Sequence, residues 1–353
     1  MIGWVMSKIT KKYQLFFCSM ILLLFLFQGC RHNSNEVRIV DFPLFVSNEF
    51  AEADSIKIDN LYIDVWNWAV KNEQIVILSK ENRDNFLYVF SLPKFGPVYK
   101  CGNYGGGPDE FTAVNWINML NNRQVGLYDI PRKKMYTYDL MSDTLVLNKT
   151  FEFRIWERNV APPYTSIQQI NDSLFVMKAD MKEFTELELV NINTGEILQI
   201  FRPMLERESK IRTSAPYIFN VSANNNNIVL AYNFINRLEL FKLDDGVSQI
   251  KPFLVIGSAK DQSDKKIEDY VVYYTDVYCN NKYIYALSQQ GGMRESIKNS
   301  IIEIYTLDGV PVKKITLDKH LHYFTIDYKR GVIYGYDSYV DFNYVYVYKI
   351  DIL

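Results

Sequence analysis

A glycine-rich segment has one of the residue patterns that could carry chemistry. Residues Gly102–Phe111 read GNYGGGPDEF, and three consecutive glycines make an exposed, flexible turn. A phosphate-binding loop would need a following helix and normally a lysine, and the sequence predicts neither here. We therefore expect this segment to be either a linker between structural units or a contact surface for a ligand.

A pair of histidines has the second such pattern. His320 and His322 are two residues apart, so on a strand they share a face and could hold a metal ion. The third histidine, His32, precedes the predicted fold, so a carboxylate would have to complete the site. The sequence contains no G-x-S-x-G, H-E-x-x-H or EF-hand pattern. We predict no metal site and no cofactor, and we favour a role other than catalysis.

The composition is that of a folded, aromatic-rich protein. The chain has 353 residues, of which 48% are hydrophobic and 15% aromatic, and its formal net charge is −2. This apolar content excludes an intrinsically disordered protein. The balanced charge argues against binding to phosphate backbones through counterion release, so we expect no nucleic-acid partner.

The first thirty residues are predicted to direct export. Basic residues precede the apolar run Leu15–Phe27, which is shorter than the roughly 20 residues that a membrane-spanning helix needs. The run is followed by Gly29 and Cys30, and this end resembles the bacterial lipobox, whose cysteine becomes the lipidated N-terminus. The chain is thus expected to have three parts: a lipoprotein signal peptide at 1–29, a lipidated cysteine and tether at 30–36, and one folded domain at 37–353.

Lipidation at Cys30 predicts a place in the bacterial cell envelope. We expect an outer-membrane lipoprotein, on either the periplasmic or the surface side, that reaches the membrane through its lipid anchor. An ordinary signal peptide or an uncleaved anchor is the alternative interpretation, and Cys30 would then have no special role.

Six copies of one strand unit follow. In each copy a polar turn leads into a β-branched or aromatic strand, and these strands begin at residues 75, 125, 174, 228, 283 and 332. A second strand follows at a similar offset, commonly with an Asp-Gly or Asn-x-Gly turn after it. This period predicts an all-β fold, a six-bladed β-propeller with four-stranded antiparallel blades. A meandering solenoid is the structural alternative.

The two ends of the chain predict how the ring closes. The last unit stops at Leu353, one strand short, whereas Val37–Val40 and Phe42–Val46 precede the first unit without a partner. We expect this N-terminal strand to complete the last blade. Cys101 and Cys279 fall in the first and fifth blades, so we expect no disulfide between them.

The surplus of aromatic residues, 26 Tyr and 22 Phe, is assigned to packing between blades. In Tyr344–Tyr348 tyrosines alternate with valines, so each set should face a different neighbouring blade. A sugar-binding aromatic platform is the alternative use for these rings.

The glycine-rich segment also resembles a known signature. Gly105, Gly107, Pro108, Glu110 and Phe111 match the G-x-G-P-x-E-F pattern of TolB-like six-bladed β-propeller lipoproteins, which share their shape with NHL-type propellers. The resemblance implies a propeller in the cell envelope and agrees with the lipobox and the repeat.

Two loops are the predicted contact surfaces, because loops held by a rigid scaffold often carry binding. One is the glycine-rich segment, and the other is a polar insertion that widens the fifth blade. The candidate binding residues are Gly105, Gly106, Gly107, Pro108, Asp109, Glu110, Gln290, Met293 and Arg294.

These features predict an envelope-anchored, non-catalytic propeller that binds an envelope protein, a peptide or a glycan as a scaffold or interaction module. One alternative is a propeller hydrolase or lyase with an acidic, calcium-dependent site in its central channel. The other is a glycan- or peptide-binding module in nutrient capture.

Overall fold

The computed structural model describes the chain from residue 37 to residue 351, with internal gaps. The described ranges are 37–41, 43–58, 65–79, 84–107, 110–152, 164–180, 185–205, 219–224, 226–244, 249–257, 265–292, 299–338, 340–341 and 343–351. The predicted signal peptide, Cys30 and the start of the tether lie outside them. No helix among the described residues is long and apolar enough to span a membrane.

The described residues form an all-β propeller fold. Three strands lie at the N-terminus: β1 (Arg38–Val40), β2 (Ser47–Ala51) and β3 (Asp54–Lys57). The next twelve form three units: β4 (Val65–Lys71), β5 (Gln74–Ser79), β6 (Leu87–Ser91) and β7 (Gly96–Cys101) in unit 1; β8 (Val114–Asn118), β9 (Gln124–Asp129), β10 (Lys134–Leu140) and β11 (Leu145–Glu152) in unit 2; β12 (Tyr164–Asn171), β13 (Leu174–Asp180), β14 (Thr185–Asn191) and β15 (Ile197–Phe201) in unit 3.

The remaining strands form three more units, and a short 3₁₀ turn at Ile267–Asp269 precedes the second of them. They are β16 (Phe219–Asn224), β17 (Asn227–Tyr232), β18 (Leu238–Asp244) and β19 (Gln249–Ile256) in unit 4; β20 (Val271–Cys279), β21 (Tyr283–Gly292), β22 (Ile301–Thr306) and β23 (Pro311–Leu317) in unit 5; β24 (Tyr323–Asp327), β25 (Val332–Tyr336) and β26 (Tyr344–Lys349) in unit 6.

Each unit is an antiparallel meander, in which every strand pairs with the next along the chain. Units 2 and 3 share one eight-stranded sheet, because β8 and β12 pair in parallel where Ile117 lies opposite Ile167. The two outermost N-terminal strands extend other sheets: β1 pairs in parallel with β19, and β2 pairs in parallel with β23.

The strand that pairs with unit 6 is not the one expected from the sequence. Its fourth strand is β3, which pairs antiparallel with β26 and sets Ile56 opposite Val345. The segments 37–40 and 42–46 were expected in that place, but β1 lies on unit 4 instead. The physical reason is burial, since Ile56 packs against the buried core between units 6 and 1 whereas Ile39 is exposed.

Hydrophobic clusters connect neighbouring units. The cluster between units 1 and 2 includes Val76 and Leu127, and that between units 2 and 3 includes Tyr128 and Phe175. Units 4 and 5 share a cluster that contains Leu240. Where tyrosine fills these interfaces, its large ring buries much apolar surface per residue.

The alternation at Tyr344–Tyr348 has the predicted consequence. Tyr346 and Tyr348 belong to the core between units 5 and 6, whereas Val345 belongs to the core that unit 6 shares with unit 1. That second core also contains Trp68 of unit 1 and Tyr336 of unit 6, whose rings meet edge to face at 6.2 Å. Aromatic packing between units is therefore confirmed at this strand.

Units 3 and 4 are joined by a polar contact as well as by rings. The Gln199 side chain accepts a hydrogen bond from the Ile250 N–H at 2.6 Å and donates one to the Ile250 carbonyl at 3.1 Å. Beside it, the rings of Phe201 and Phe241 lie 5.4 Å apart. A side-chain amide thus continues the backbone pairing across the gap between two sheets.

Candidate functional site

The first strand of every unit lines one central cavity. Its wall contains Trp66 of β4, Asn118 of β8 and Ser166 of β12, and on the other side Asn220 of β16, with β20 and β24 completing it. The volume is about 280 Å³. We call this cavity, which the first strands border, the channel.

Asp276 is the carboxylate in the channel wall. Its two oxygens accept the N–H groups of Val277 at 2.8 Å and of Phe324 at 3.3 Å. Burial nevertheless raises the pKa of Asp276 to about 7, because these bonds offset the loss of hydration only in part. Asp276 can therefore exchange a proton near neutral pH.

Other polar groups at the channel are a lysine, two tyrosine phenols, and side chains of Asn, Gln, Ser, Thr and Trp. Lys178 contributes the cation, with Nζ 3.5 Å from an oxygen of Asp180. Among the described residues that line the channel, Asp276 is the single carboxylate. Glycoside hydrolysis ordinarily uses a pair of carboxyl groups flanking the scissile bond, and this wall supplies one.

A second, larger cavity of about 700 Å³ shares Tyr278 with the channel, and we call it the funnel. The carboxyl ends of the first strands and the turns that follow them form its wall. Most of its side chains are amides or phenols, and the ionisable remainder is one Asp and one Lys: Asn122, Asn171, Asp172, Asn224, Tyr278, Asn280, Asn281, Lys282 and Tyr328.

Turn chemistry explains why asparagine recurs around the funnel. The Asn280 side-chain oxygen accepts the N–H groups of Lys282 at 2.8 Å and Tyr283 at 2.7 Å, and Asn171 accepts the N–H of Ser173 at 3.0 Å. Such side chains close tight turns by replacing a backbone acceptor. The same turn, present in units 3 and 5, places both amides at the funnel.

Two tyrosines give the funnel an aromatic wall. The rings of Tyr278 and Tyr328 lie 6.0 Å apart, and Tyr285 lies 6.1 Å from Tyr328 on the far side. Burial raises the pKa of Tyr278 to about 12 and that of Tyr328 further, so both phenols stay neutral at physiological pH. A neutral phenol can donate one hydrogen bond and accept others.

A family model for TolB-like 6-blade propeller-like proteins matches residues 44–329 of the chain. This range covers most of the sequence. The chain belongs to this family.

Solved structures of similar shape have little sequence in common with this TolB-like chain. A Bacteroides fragilis protein described as exported is 13% identical, with a TM-score of 0.53 over 88% of this chain and 98% of its own. The WD40 repeats of RRP9 are 8% identical, with a TM-score of 0.49 over 84% and 98%. A Lactobacillus plantarum protein is 10% identical, with a TM-score of 0.47 over 81% and 80%. Among curated proteins, none matches the sequence.

In this TolB-like propeller, the glycine-rich segment is held by its own residues. The Glu110 carboxylate accepts the Gly107 N–H at 2.7 Å, and Gly105 N–H donates to the Phe111 carbonyl at 2.9 Å. Phe111 packs edge to face on Phe86 with ring centroids 5.3 Å apart. The described residues of the family signature, Gly105, Gly107, Glu110 and Phe111, thus build the connection between units 1 and 2.

Other predicted contact residues are only partly described. Around Gly106 there is open space, whereas Pro108 and Asp109 lie outside the described residues. Gln290, in unit 5, is exposed and its amide donates to the Glu303 carboxylate at 3.1 Å. Met293 and Arg294 also lie outside the described residues.

The two predicted loops lie on different units but at the same end of the strands. The glycine-rich segment directly precedes β8, and Gln290 is near the end of β21, which runs antiparallel to β20. Both are therefore at the end where first strands begin, opposite to the funnel.

The funnel itself was not among the predicted contact surfaces. The signal for it was present, because a polar turn with Asn or Asp precedes the second strand in most of the repeats. Recognising it required knowing that all these turns meet at one end of the channel.

Both cysteines of the described residues are free thiols. Cys279 is buried, and its N–H donates to the Ser222 hydroxyl at 2.9 Å. Burial raises the pKa of Cys279 to about 12 and that of Cys101 to about 11. Neither thiol is a thiolate at neutral pH, so neither is suited to act as a nucleophile.

Proposed function

We propose that this chain is a non-catalytic binding propeller whose funnel holds a neutral, hydroxyl-rich ligand, an oligosaccharide. The observation that carries the proposal is the wall of the funnel, where amides of Asn122 and Asn281 and the rings of Tyr278 and Tyr328 share one cavity. Amides and phenols both donate and accept hydrogen bonds, as sugar hydroxyls require.

The nearly balanced charge of the wall favours this ligand class over ions. Asp172 and Lys282 contribute one charge of each sign. A ligand pocket of a few hundred cubic ångströms with aromatic walls and a few oriented polar groups is typical of sites for small molecules. Apolar faces of sugar rings can lie on the tyrosine rings.

A closed ring of six blades is part of this proposal. Three observations support it: β3 pairs with β26, Trp68 and Tyr336 pack in one core, and first strands of all six units line the same cavity. Closure removes the exposed edges of an open sheet stack and fixes the width of the funnel.

Anchoring to the membrane through a lipid on Cys30 is the last part of the proposal. The apolar run at 15–27, the Gly29–Cys30 pair and the membership of the TolB-like family support a place in the bacterial envelope. The structurally similar Bacteroides protein is itself described as exported. An outer-membrane lipoprotein is therefore the proposed form, to be tested by labelling cells with a lipid precursor. A Cys30→Ser chain that stayed equally labelled would contradict it.

The ligand is tested with the full-length chain in detergent on a glycan array, followed by calorimetry with the best oligosaccharide. Asn122→Ala, Asn281→Ala and Tyr328→Phe should each weaken binding about fivefold, the loss of one net hydrogen bond of ~1 kcal/mol. Asn193→Ala is the matched control, because Asn193 is an exposed asparagine in a turn of unit 3 between β14 and β15.

Two outcomes would overturn the proposed ligand class. One is binding that the control weakens as much as the funnel variants do. The other is failure of all glycans to bind while crosslinking in the native envelope captures a protein at the funnel.

A further inference from the structure

Three possible metal ligands come together in unit 6: His320 and His322, which precede β24, and Asp337, which follows β25. His320 Nδ1 lies 3.0 Å from one oxygen of Asp337, and His322 Nδ1 lies 3.2 Å from the other. The two rings meet edge to face with centroids 4.5 Å apart. One ligand atom from each residue falls within 4.8 Å of the other two. The carboxylate that the sequence alone could not identify is Asp337.

Strand pairing fixes this arrangement. Tyr323 lies opposite Tyr336 in the β24–β25 register, and His322 N–H donates to the Tyr336 carbonyl at 2.8 Å. His322 and Asp337 therefore flank the last backbone pair of the ladder. Val340 N–H donates to Asp337 Oδ1 at 3.2 Å and orients the carboxylate.

The residue between the histidines anchors them. Leu321 is fully buried and packs so closely on Gly335 that a Cβ there would lie 2.4 Å from it. The backbone at Leu321 is also held in place, because its N–H donates a hydrogen bond to the Ser300 hydroxyl at 2.8 Å. With Leu321 fixed in the core, the side chains of its two neighbours lie together, as the 4.5 Å between their rings shows.

The position of His322 Nδ1 fits a metal ligand, because it lies close to both Asp337 and Ser338. Ser338 N–H lies 3.3 Å from His322 Nδ1, and the nitrogen can accept that hydrogen only through its lone pair. The same nitrogen faces a carboxylate oxygen, so two electron-rich atoms share a small volume. A cation bound between the two atoms would be coordinated by both. It would replace the 3.3 Å contact between the Ser338 N–H and His322 Nδ1.

We propose that His320, His322 and Asp337 bind a divalent transition-metal ion of the zinc type. Two imidazoles and one carboxylate are a borderline donor set that suits zinc, cobalt or nickel, whereas calcium and magnesium prefer oxygen alone. The histidine side chains are 17% and 18% exposed, so water or a ligand atom can complete the coordination.

This site is independent of the funnel, because the two histidines precede the first residue of β24 whereas Tyr328 of the funnel follows its last. Metal binding and glycan binding can therefore succeed or fail separately. A metal at this end of the channel would give the propeller a second contact point on the face that carries Gly106 and Gln290.

The test titrates Zn²⁺ and Co²⁺ into the metal-stripped full-length chain, with calorimetry for zinc and visible absorption for cobalt. One ion should bind per chain. Asp337→Asn and His320→Ala should each weaken binding by about tenfold or more. The matched control is His32→Ala, because His32 is the remaining histidine of the chain and precedes the fold.

Circular dichroism and thermal unfolding without metal check that the variants fold, and His322→Gln replaces His320→Ala if that variant does not. The proposal is wrong if the wild-type chain shows no saturable binding, if Asp337→Asn binds as tightly as wild type, or if His32→Ala alone removes the site. Competition by millimolar Ca²⁺ would also contradict the donor set. Retained cobalt absorption with the spectrum of a thiolate would assign the ion to cysteine instead.

Discussion

The Glu110 carboxylate turns back onto Gly107 and accepts its N–H at 2.7 Å. Arg132 fastens the same turn from outside, because its guanidinium donates to the carbonyl oxygens of Gly107 at 2.8 Å and of Glu110. A charged group that satisfies a backbone amide in this way is among the stronger hydrogen bonds. Gly107 and Glu110 of the family signature are thus explained by the stability of the turn.

Gly105→Ala should destabilise the fold. A Cβ at Gly105 would lie 2.1 Å from Glu110 Oε2, so the carboxylate must move and release the Gly107 N–H. We expect a loss of about 1–2 kcal/mol in the free energy of unfolding, measured by urea denaturation. Gly106→Ala is the matched control, since nothing lies within 4 Å of a Cβ there. Equal losses in the two variants would contradict this account.

Ile56→Ala tests the strand that completes unit 6. Ile56 lies opposite Val345 and packs against the core shared by units 6 and 1, so its truncation should cost about 1–3 kcal/mol. Ser55→Ala on the same strand, where the side chain is exposed, should change stability by less than about 0.5 kcal/mol. An Ile56→Ala variant as stable as wild type would show that the packing of this strand on units 6 and 1 does not stabilise the fold.

The sequence predicts local pattern far better than partner choice. The alternation at Tyr344–Tyr348 gives both faces of β26 correctly, because side chains on a strand alternate whatever the neighbours are. The prediction of which N-terminal strand pairs with unit 6 was wrong. Both β1 and β3 are short strands, and which of them pairs with β26 depends on which one buries its side chains there.

The candidate sites show the same difference between local pattern, which the sequence predicts, and long-range pairing, which it does not. A pair of histidines two residues apart is visible in the sequence, but Asp337 joins them only through the β24–β25 register. Asn171 and Asn280 are explained by the turns they close, but their position beside the other funnel asparagines depends on how the units pack together. Local rules therefore identify the residues, and long-range pairing decides which of them form a site.

Arg237→Met should be strongly destabilising. Arg237 Nε donates to Glu239 Oε1 at 2.8 Å, and both side chains are buried. Burial raises the pKa of Glu239 in spite of this partner, so the ionised carboxylate is already costly to bury. Removing the arginine takes away the cation that offsets this cost. We expect a loss of about 3–5 kcal/mol at neutral pH, measured by chemical denaturation.

Neutralising the glutamate in the same background provides the control. Glu239→Gln combined with Arg237→Met should recover part of the lost stability, because the buried charge is removed and the amide oxygen can still accept one of the two N–H groups, of Met204 and Leu205, that bond to separate oxygens of Glu239. If the double variant is no more stable than Arg237→Met, the unpaired charge is not the cause.

Asp276→Asn should make the propeller more stable at high pH. Burial raises the pKa of Asp276 to about 7 from 3.8, so between these values the folded chain keeps a proton that the unfolded chain releases. Stability from this group is therefore complete at low pH and is lost as the pH rises through 7. The variant should match wild type near pH 4 and exceed it by roughly 1–3 kcal/mol at pH 8, since one pKa unit corresponds to about 1.4 kcal/mol. Urea denaturation across this range measures the difference, and a difference that does not grow with pH would refute the buried, neutral Asp276.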